Sequence, residues 1–163
     1  MVILAAAVLA IISCGYRFSA SGRLGENIST VSVNMLENRT AETGVENIFT
    51  NDLIFEFTKN GNTIVESDAA DAVLSGTIDA MPIETVSYRG QITSLERRIT
   101  AFVSLQLSDR NGRVIWSANG VSWDETYGIL SEKVATDYNK REAIRSLSKR
   151  LAEEVYSRIT DKF

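Results

Sequence analysis

The chain has 163 residues, which suits one domain with a hydrophobic core of its own. Its net charge is −4, so the molecule as a whole does not bind nucleic acid through bulk electrostatics. It contains no histidine and one cysteine, which excludes disulfides within the chain and removes the commonest general base and the commonest metal ligands.

An apolar run from Val2 to Ile12 is followed by Ser13 and Cys14. A short apolar segment that ends in a small residue and then cysteine is typical of a bacterial lipoprotein signal. The run is too short for a transmembrane helix, which needs about 20 apolar residues. We therefore predict that residues 1–13 are a signal peptide and that the Cys14 thiol carries a covalent lipid, which anchors the protein to a membrane.

The rest of the chain is predicted to have two parts. Residues 14–28 comprise the lipidated cysteine and a polar tether rich in glycine and serine. Residues 29–163 are predicted to form a single domain. Its first strand is indicated by the alternation of apolar and polar side chains over residues 30–36, and residues 37–40 then turn the chain.

The first helix is predicted to begin at a capping box formed by Thr43 and Glu46. Apolar residues then recur at helical spacing as far as Phe57, and Asn60-Gly61 ends the helix. An aromatic-rich stripe at this spacing is more often a core face than a ligand groove, so we assign it to the core. A short extended piece at residues 63–65 follows.

Three further strands are predicted in the middle of the chain. Residues 72–81 form the first of them, and the only proline follows directly. Residues 96–108 show the clearest alternation of apolar and polar side chains. Asp109-Arg110-Asn111-Gly112 is a hairpin signal that leads into the last strand, residues 114–123, where Gly120 indicates a bulge.

The C-terminal part is predicted to be a loop followed by a helix. Residues 124–138 are polar, and a second capping box, Asn139-Lys140-Arg141-Glu142, precedes a long apolar stripe that reaches Ile159. Two helices with one apolar stripe each would pack on the same side of a sheet. The predicted fold class is therefore α+β, with two helices on one face of a four-stranded mixed or antiparallel sheet and the other face open.

No catalytic or metal-binding motif stands out in the sequence. It lacks G-x-S-x-G, a P-loop and a dinucleotide fingerprint. We therefore predict that the protein is not an enzyme and that it holds no metal and no cofactor besides the lipid. The enzymatic alternative is a carboxylate-dependent hydrolase, which requires acids such as Asp79, Glu84 and Glu96 to converge in a cleft.

The ordered motifs resemble those of the LptE family of lipopolysaccharide-assembly lipoproteins. The similarity lies in four segments: Cys14-Gly15-Tyr16-Arg17-Phe18, Val31-Ser32-Val33, Glu37-Asn38-Arg39-Thr40 and residues 70–78. The resemblance implies a non-enzymatic outer-membrane lipoprotein that partners the β-barrel LptD, from the periplasmic side and inside the barrel lumen, as its plug and assembly factor. It also implies contact with lipopolysaccharide on its way to the cell surface. Gly15, directly after the lipidated cysteine, favours the outer membrane.

The resemblance further implies basic residues that contact lipopolysaccharide. Arg89 matches the family's basic residue in the loop after its second strand. Lys133 is the nearest candidate for a second basic position before the last helix, and Lys140 is the next. Arg98 is predicted on the polar face of the sheet, where it could join Arg89 in one phosphate-binding patch.

The open sheet face is the predicted partner surface. It would present Phe102 together with Trp123 and Tyr127 at the end of the last strand, since aromatic residues are enriched in interface cores. The alternative function is that of another outer-membrane lipoprotein, a scaffold or adaptor in envelope biogenesis. Co-purification with a large barrel protein would separate the two functions.

Overall fold

The computed structural model describes Leu24, residues 28–86 and residues 95–162, and every structural statement below concerns those residues. The predicted signal peptide and Cys14 lie outside them, as does all of the predicted tether except Leu24 and Ile28. The described elements are two helices and seven strands. They are β1 (Thr30–Val33), β2 (Glu37–Asn38), α1 (Val45–Lys59), β3 (Thr63–Ile64), β4 (Ala72–Ala80), β5 (Ile83–Val86), β6 (Glu96–Asp109), β7 (Val114–Gly128) and α2 (Lys133–Thr160).

One mixed sheet joins all seven strands. β1 and β2 lie one after the other beside β4, and β4 and β5 lie one after the other along β6, whose other side pairs with β7. The prediction of a mixed sheet is confirmed, but the prediction of four strands is wrong, because β2, β3 and β5 are additional. The two-residue strands β2 and β3 are too short to show a period, and Pro82, which has no N–H, separates β5 from β4.

Two connections link the main strands, and one of them is the predicted hairpin. α1 is the crossover between β1 and β4, which are parallel with Val31 opposite Ala72. β6 and β7 form the predicted antiparallel hairpin, in which the Asp109 carboxylate accepts hydrogen bonds from the N–H groups of Asn111 and Arg113, at 2.9 Å each.

The first helix does not begin as predicted. α1 starts at Val45 after Gly44, whose φ of 82° lies in the left-handed region, and no side chain caps the helix. Glu46, expected in a capping box with Thr43, instead accepts a hydrogen bond from Nδ2 of Asn38 at 2.9 Å. A partner outside the helix, eight residues earlier in the chain, therefore replaces the capping interaction.

The second helix also begins earlier than predicted, at Lys133 rather than at Asn139. Nδ2 of Asn139 donates to the carbonyl of Gly128 at 3.0 Å, so this side chain ties the helix to the end of β7 and does not cap it. Residues 124–138, predicted to be a loop, are the end of β7, a short turn and the start of α2. Many side chains of this stretch are exposed and polar, so the sequence shows neither the two-residue period of a strand nor the helical period.

Both helices pack on one face of the sheet, as predicted. Along β6 the alternate residues on the helix side are fully or almost fully buried: Ile99, Ala101, Val103, Leu105 and Leu107. Phe57 of α1 meets Tyr156 of α2 edge to face, with 5.2 Å between the ring centroids. Leu24 is also fully buried in this core, although the sequence analysis placed it in the tether.

Asn38 holds the turn between β2 and α1 through both ends of its side-chain amide. Oδ1 accepts from the backbone N–H and the hydroxyl of Thr40 at 2.9 and 2.8 Å. Nδ2 donates to the Glu42 carbonyl at 2.8 Å and to the Glu46 carboxylate. The segment that resembles a family motif is therefore a structural turn in this chain.

Asn38→Asp is expected to lower the free energy of unfolding by about 2 kcal/mol. The new carboxylate cannot donate to the Glu42 carbonyl, and it would face the carboxylate of Glu46. Urea denaturation measures the loss. The matched control is Asn111→Asp, because the Asn111 side chain makes no hydrogen bond with any described residue. An equal loss in both variants would contradict the role of the Asn38 amide.

Asp71 joins the start of β4 to the start of β1. Its Oδ2 accepts from the backbone N–H and hydroxyl of Thr30 at 2.9 and 2.8 Å, and from the same two groups of Ser29 at 3.0 and 3.1 Å. Its Oδ1 pairs with Arg110 at 2.8 Å. The bonds from Thr30 first, and then those from Ser29, hold the pKa of the Asp71 carboxyl well below its ordinary value.

We expect Asp71 to make folding stability sensitive to acid. Because its pKa is lower in the folded chain, the carboxylate stabilises the fold above its unfolded pKa of about 3.9. That contribution is lost as the pH falls from about 4 towards the folded pKa. Urea denaturation at several pH values between about 6 and 2 should therefore show a steeper loss for wild type than for Asp71→Asn. Equal slopes would contradict the assignment.

Candidate functional site at the loop end of the sheet

The end of β5, the start of β6 and the end of β7 lie together at one end of the sheet, here called the loop end. Val86 and Glu96, the last residue of β5 and the first of β6, are opposite each other. The N–H of Ile129, just after β7, donates to the carbonyl of Leu95 at 2.8 Å. The connection of residues 87–94, which contains Arg89, lies outside the described residues, but both of its ends are beside the turn that leads into α2.

Four large apolar side chains are exposed at the loop end. Leu95 is 50% exposed, Leu130 54%, Val134 77% and Tyr138 57%. Val134 and Tyr138 are four residues apart on the first turns of α2, so they share one side of the helix. A concentration of exposed apolar side chains at one end of a domain indicates a surface that another molecule covers. The sequence does not indicate this surface, because its pattern predicts a polar loop over residues 124–138.

Lys133 is the freer of the two candidate lysines. It is the first residue of α2, its side chain is 85% exposed, and among the described residues it forms an ion pair only with Asp137, one turn further on. Lys140 instead bonds Glu42 at 2.6 Å with both side chains about a quarter exposed, which ties α2 to the segment before α1. An exposed ion pair contributes little to stability, so the Lys133 ammonium can turn to a ligand at small cost.

Arg98 lies on the helix-free face of the sheet close to the loop end. Its guanidinium pairs with Asp124 of β7 at 3.4 Å, and both side chains are about half exposed. Its Cα is opposite that of Glu84 on one side and that of Thr126 on the other. The structure thus places Lys133 and Arg98 near the same end, whereas Arg89 lies outside the described residues.

The three aromatic residues predicted to form the partner surface do not share one face. Phe102 is opposite Ser122 on the helix-free face, while Trp123 is opposite the buried Ala101 and therefore points to the helix side. Tyr127 is 6% exposed and belongs to the core, whereas Trp123 is 39% exposed. The register places Ser122 opposite Phe102, so these two residues share the helix-free face. Adjacent residues of a strand point to opposite faces, and Trp123 therefore lies on the other face.

The helix-free face contains a second feature, an open depression of about 330 Å³, here called the polar depression. Its lining side chains on β4, β6 and β7 are Ser75, Thr77, Ser104, Gln106, Ser117 and Asn119. Of the described residues that line it, none is charged. The acids considered for a hydrolase, Asp79, Glu84 and Glu96, are not among them.

Irregularities on both sides of β6 shape the polar depression. The register of β4 shifts between Ile78 and Ala80, and that of β7 shifts opposite Ser104, where Gly120 has a φ of 65°. This confirms the predicted bulge at Gly120. The Ser104 hydroxyl donates to the Asp79 carboxylate at 2.6 Å and accepts from the N–H of Gly120 at 3.4 Å. The floor of the depression is therefore held from both neighbouring strands.

Solved structures with this fold include bacterial lipoproteins. A minor lipoprotein from Acinetobacter baumannii has a TM-score of 0.58 at 18% identity, with 82% of this chain and 92% of that chain covered. Rare lipoprotein B from Shewanella oneidensis has a TM-score of 0.55 at 14% identity, with 81% and 94% covered. A putative neuraminyllactose-binding hemagglutinin homolog from Helicobacter pylori has a TM-score of 0.57 at 12% identity, with 87% and 89% covered. At these identities the likeness shows the fold alone.

The fold class is thus α+β, with two helices on one face of a mixed sheet, as in these bacterial lipoproteins. A model of the family described as "LptE: Lipopolysaccharide-assembly" matches residues 28–159, and the chain belongs to this LptE family. It is a lipopolysaccharide-assembly lipoprotein, and its family is non-enzymatic. No curated protein matched the chain. Neither described helix is long and apolar enough to cross a bilayer.

Proposed function

We propose that this protein is an outer-membrane lipoprotein that partners the LptD β-barrel as plug and assembly factor and contacts lipopolysaccharide at the loop end. In this proposal residues 1–13 are removed and a lipid on Cys14 anchors the domain of residues 29–163. Membership of the LptE family supports the general role. The observation that carries the specific proposal is the group of exposed apolar side chains beside Lys133 at the loop end.

The loop end has the chemistry that an amphiphile with acyl chains and phosphate groups requires. Leu95, Leu130 and Val134 offer aliphatic surface that acyl chains can cover, which removes apolar area from water. Lys133 offers an exposed ammonium that can donate charge-assisted hydrogen bonds to a phosphate. Arg89, in the adjoining connection, is proposed to add a guanidinium, which can bind a phosphate with two parallel bonds.

The barrel is proposed to meet the domain along β7. This strand pairs only with β6 among the described strands, so its outer edge is uncovered there. Trp123, on β7, is partly exposed and is the aromatic residue that we assign to this contact. Phe102 lies on the helix-free face and Tyr127 in the core, so neither belongs to the same surface as Trp123.

The test uses the full lipidated protein, purified from solubilised outer membranes, with mass spectrometry of bound proteins and assay of bound lipopolysaccharide. We expect LptD and lipopolysaccharide to co-purify with wild type. Val134→Glu should lower the bound lipopolysaccharide about fivefold, because a carboxylate at the loop end repels phosphate and cannot pack against acyl chains.

The matched control is Val114→Glu. Val114 is 49% exposed and lies at the opposite end of β7 from the loop end, so this variant should retain wild-type lipopolysaccharide. Equal loss in both variants, or no loss in either, would contradict the proposed contact. Recovery of a different partner in place of LptD would favour a scaffold or adaptor in envelope biogenesis. Cys14→Ser should move the protein out of the membrane fraction.

A further inference from the structure

We propose that the helix-free sheet face binds the sugar portion of lipopolysaccharide and that the polar depression is the principal contact. The inference rests on the proposed function in one respect, that lipopolysaccharide is the ligand. It assigns a role to a face that the loop-end contacts leave unused. The described residues that line the depression carry only uncharged polar side chains apart from Gly76 and Leu105.

The depression presents hydrogen-bonding groups that the fold does not use. The side chains of Thr77, Ser117 and Asn119 make no hydrogen bond with any described residue. Hydroxyl and amide groups of this kind both donate and accept, which matches the hydroxyl groups of a neutral saccharide. Ser117 and Asn119 are exposed, so a ligand can reach them without movement of the backbone.

The remaining polar groups are held in place. The Ser104 hydroxyl is fixed between the Asp79 carboxylate and the N–H of Gly120. Nε2 of Gln106 donates to Oγ of Ser75 across β6 and β4 at 3.3 Å. A site whose groups are already oriented loses less entropy on binding. The volume of about 330 Å³ is at the lower end of the range of about 300–1,000 Å³ for small-molecule sites.

Other ligand classes suit this face less well. Acyl chains need apolar side chains, and those that line the depression are polar except for Leu105. A phosphate bound here would lie near the Asp79 carboxylate, with no cation among the lining side chains. A protein partner would be expected to meet an aromatic or aliphatic centre, whereas this face has a single aromatic side chain on β6, Phe102.

The order of groups along β6 also matches an amphiphile that starts at the loop end. After the apolar Leu95, the residues on the helix-free face are Glu96, Arg98, Thr100, Phe102, Ser104 and Gln106. At about 3.3 Å per residue, Ser104 lies roughly 30 Å along the strand from Leu95. Leu95, Arg98 and Ser104 thus follow in the order of acyl chains, phosphates and sugars, with Glu96 and Phe102 as exceptions to that order.

The experiment is a titration of the full lipidated protein with two separate probes. One is the lipid-free polysaccharide released from lipopolysaccharide by mild acid, and the other is lipid A. The protein is kept in a detergent without a sugar headgroup, because a maltoside would compete for the site. Affinities are measured by biolayer interferometry for wild type, for the triple variant Thr77→Val/Ser117→Ala/Asn119→Ala, and for the control Ser122→Ala, an exposed β7 serine outside the lining. The lipid A titration is repeated with Val134→Glu.

We expect wild type to bind the polysaccharide saturably and the triple variant to bind it about tenfold more weakly, as expected for the loss of a few neutral hydrogen bonds. Ser122→Ala should bind as wild type does, and lipid A should bind all three proteins equally. Melting temperatures within about 3 °C of each other would confirm that the fold is intact.

The inference is overturned if wild type fails to bind the polysaccharide saturably or if the triple variant binds it as tightly as wild type does. The proposed function fails separately, when lipid A does not bind wild type or when Val134→Glu binds it normally. Both proposals are supported if only the triple variant binds the polysaccharide more weakly and only Val134→Glu binds lipid A more weakly. The inference is also overturned if a co-purified protein covers the depression and added polysaccharide does not displace it.

Discussion

Gly76→Ala is expected to lower the free energy of unfolding by about 3 kcal/mol, and thereby the melting temperature by roughly 10 °C. A Cβ at this position would lie 2.4 Å from the backbone oxygen of Ser104 and 2.5 Å from Cδ2 of Leu105. Cδ2 of Leu105 could move, but the Ser104 oxygen belongs to the backbone of the central strand β6. Relief of the contact therefore requires β4 and β6 to move apart.

Chemical denaturation and thermal melting measure this effect. The matched control is Gly128→Ala, because a Cβ at Gly128 would have only Nδ2 of Asn139 near it, at 4.0 Å. This control should change the free energy of unfolding by less than about 0.5 kcal/mol. A Gly76→Ala variant as stable as the control would show that the β4–β6 spacing adapts. The position also lies against the polar depression, so backbone spacing there affects both the core and the open face.

Phe57→Ala is expected to cost about 4 kcal/mol of folding free energy. The Phe57 side chain is fully buried and meets the Tyr156 ring edge to face, so it joins α1 to α2 within the core. Truncation removes the aromatic contact and leaves a cavity between two helices that are held apart by their other side chains. Urea denaturation should show a lower midpoint with little change in slope, because the amount of surface exposed on unfolding is nearly unchanged.

The same helix supplies the control for this prediction. Phe55 is 63% exposed, so Phe55→Ala should alter stability by less than about 0.5 kcal/mol. The pair separates the contribution of burial from that of aromatic content, since both variants lose one phenylalanine from α1. Similar losses in the two variants would contradict the assignment of the effect to core packing, because alanine favours the helix more than phenylalanine does at both positions.

Much of the domain was predictable because local patterns coincide with the tertiary environment. The alternation along residues 96–108 predicted β6, whose inward residues Ile99 to Leu107 are buried. The hairpin signal at residues 109–112 and the bulge at Gly120 were also correct. These features depend on strand period and on turn chemistry, which act over a few residues.

The errors occurred where long-range contacts or exposure override local signals. Thr43 and Glu46 satisfy the rule for a capping box, but Glu46 bonds Asn38 and Gly44 precedes the helix. The first turns of α2 carry exposed Val134 and Tyr138, which blur the distinction between an inner and an outer face. The loop-end surface was missed for the same reason.

The two amphipathic helices, the main strands and the resemblance to the LptE family could be predicted from the sequence, because each depends on residues close together in the chain. The anchor signal at residues 1–14 stays a prediction. Tertiary contacts, in contrast, determine which distant side chains share a surface. The fold separated Trp123 from Phe102 and joined Leu95 to Ile129, in the turn between β7 and α2. It also placed unused hydroxyl and amide groups of β4 and β7 on either side of Ser104. The physical reason is that pairing register between strands, bulges included, is set by contacts between residues remote in sequence, and a shift of one residue exchanges the two faces of a strand.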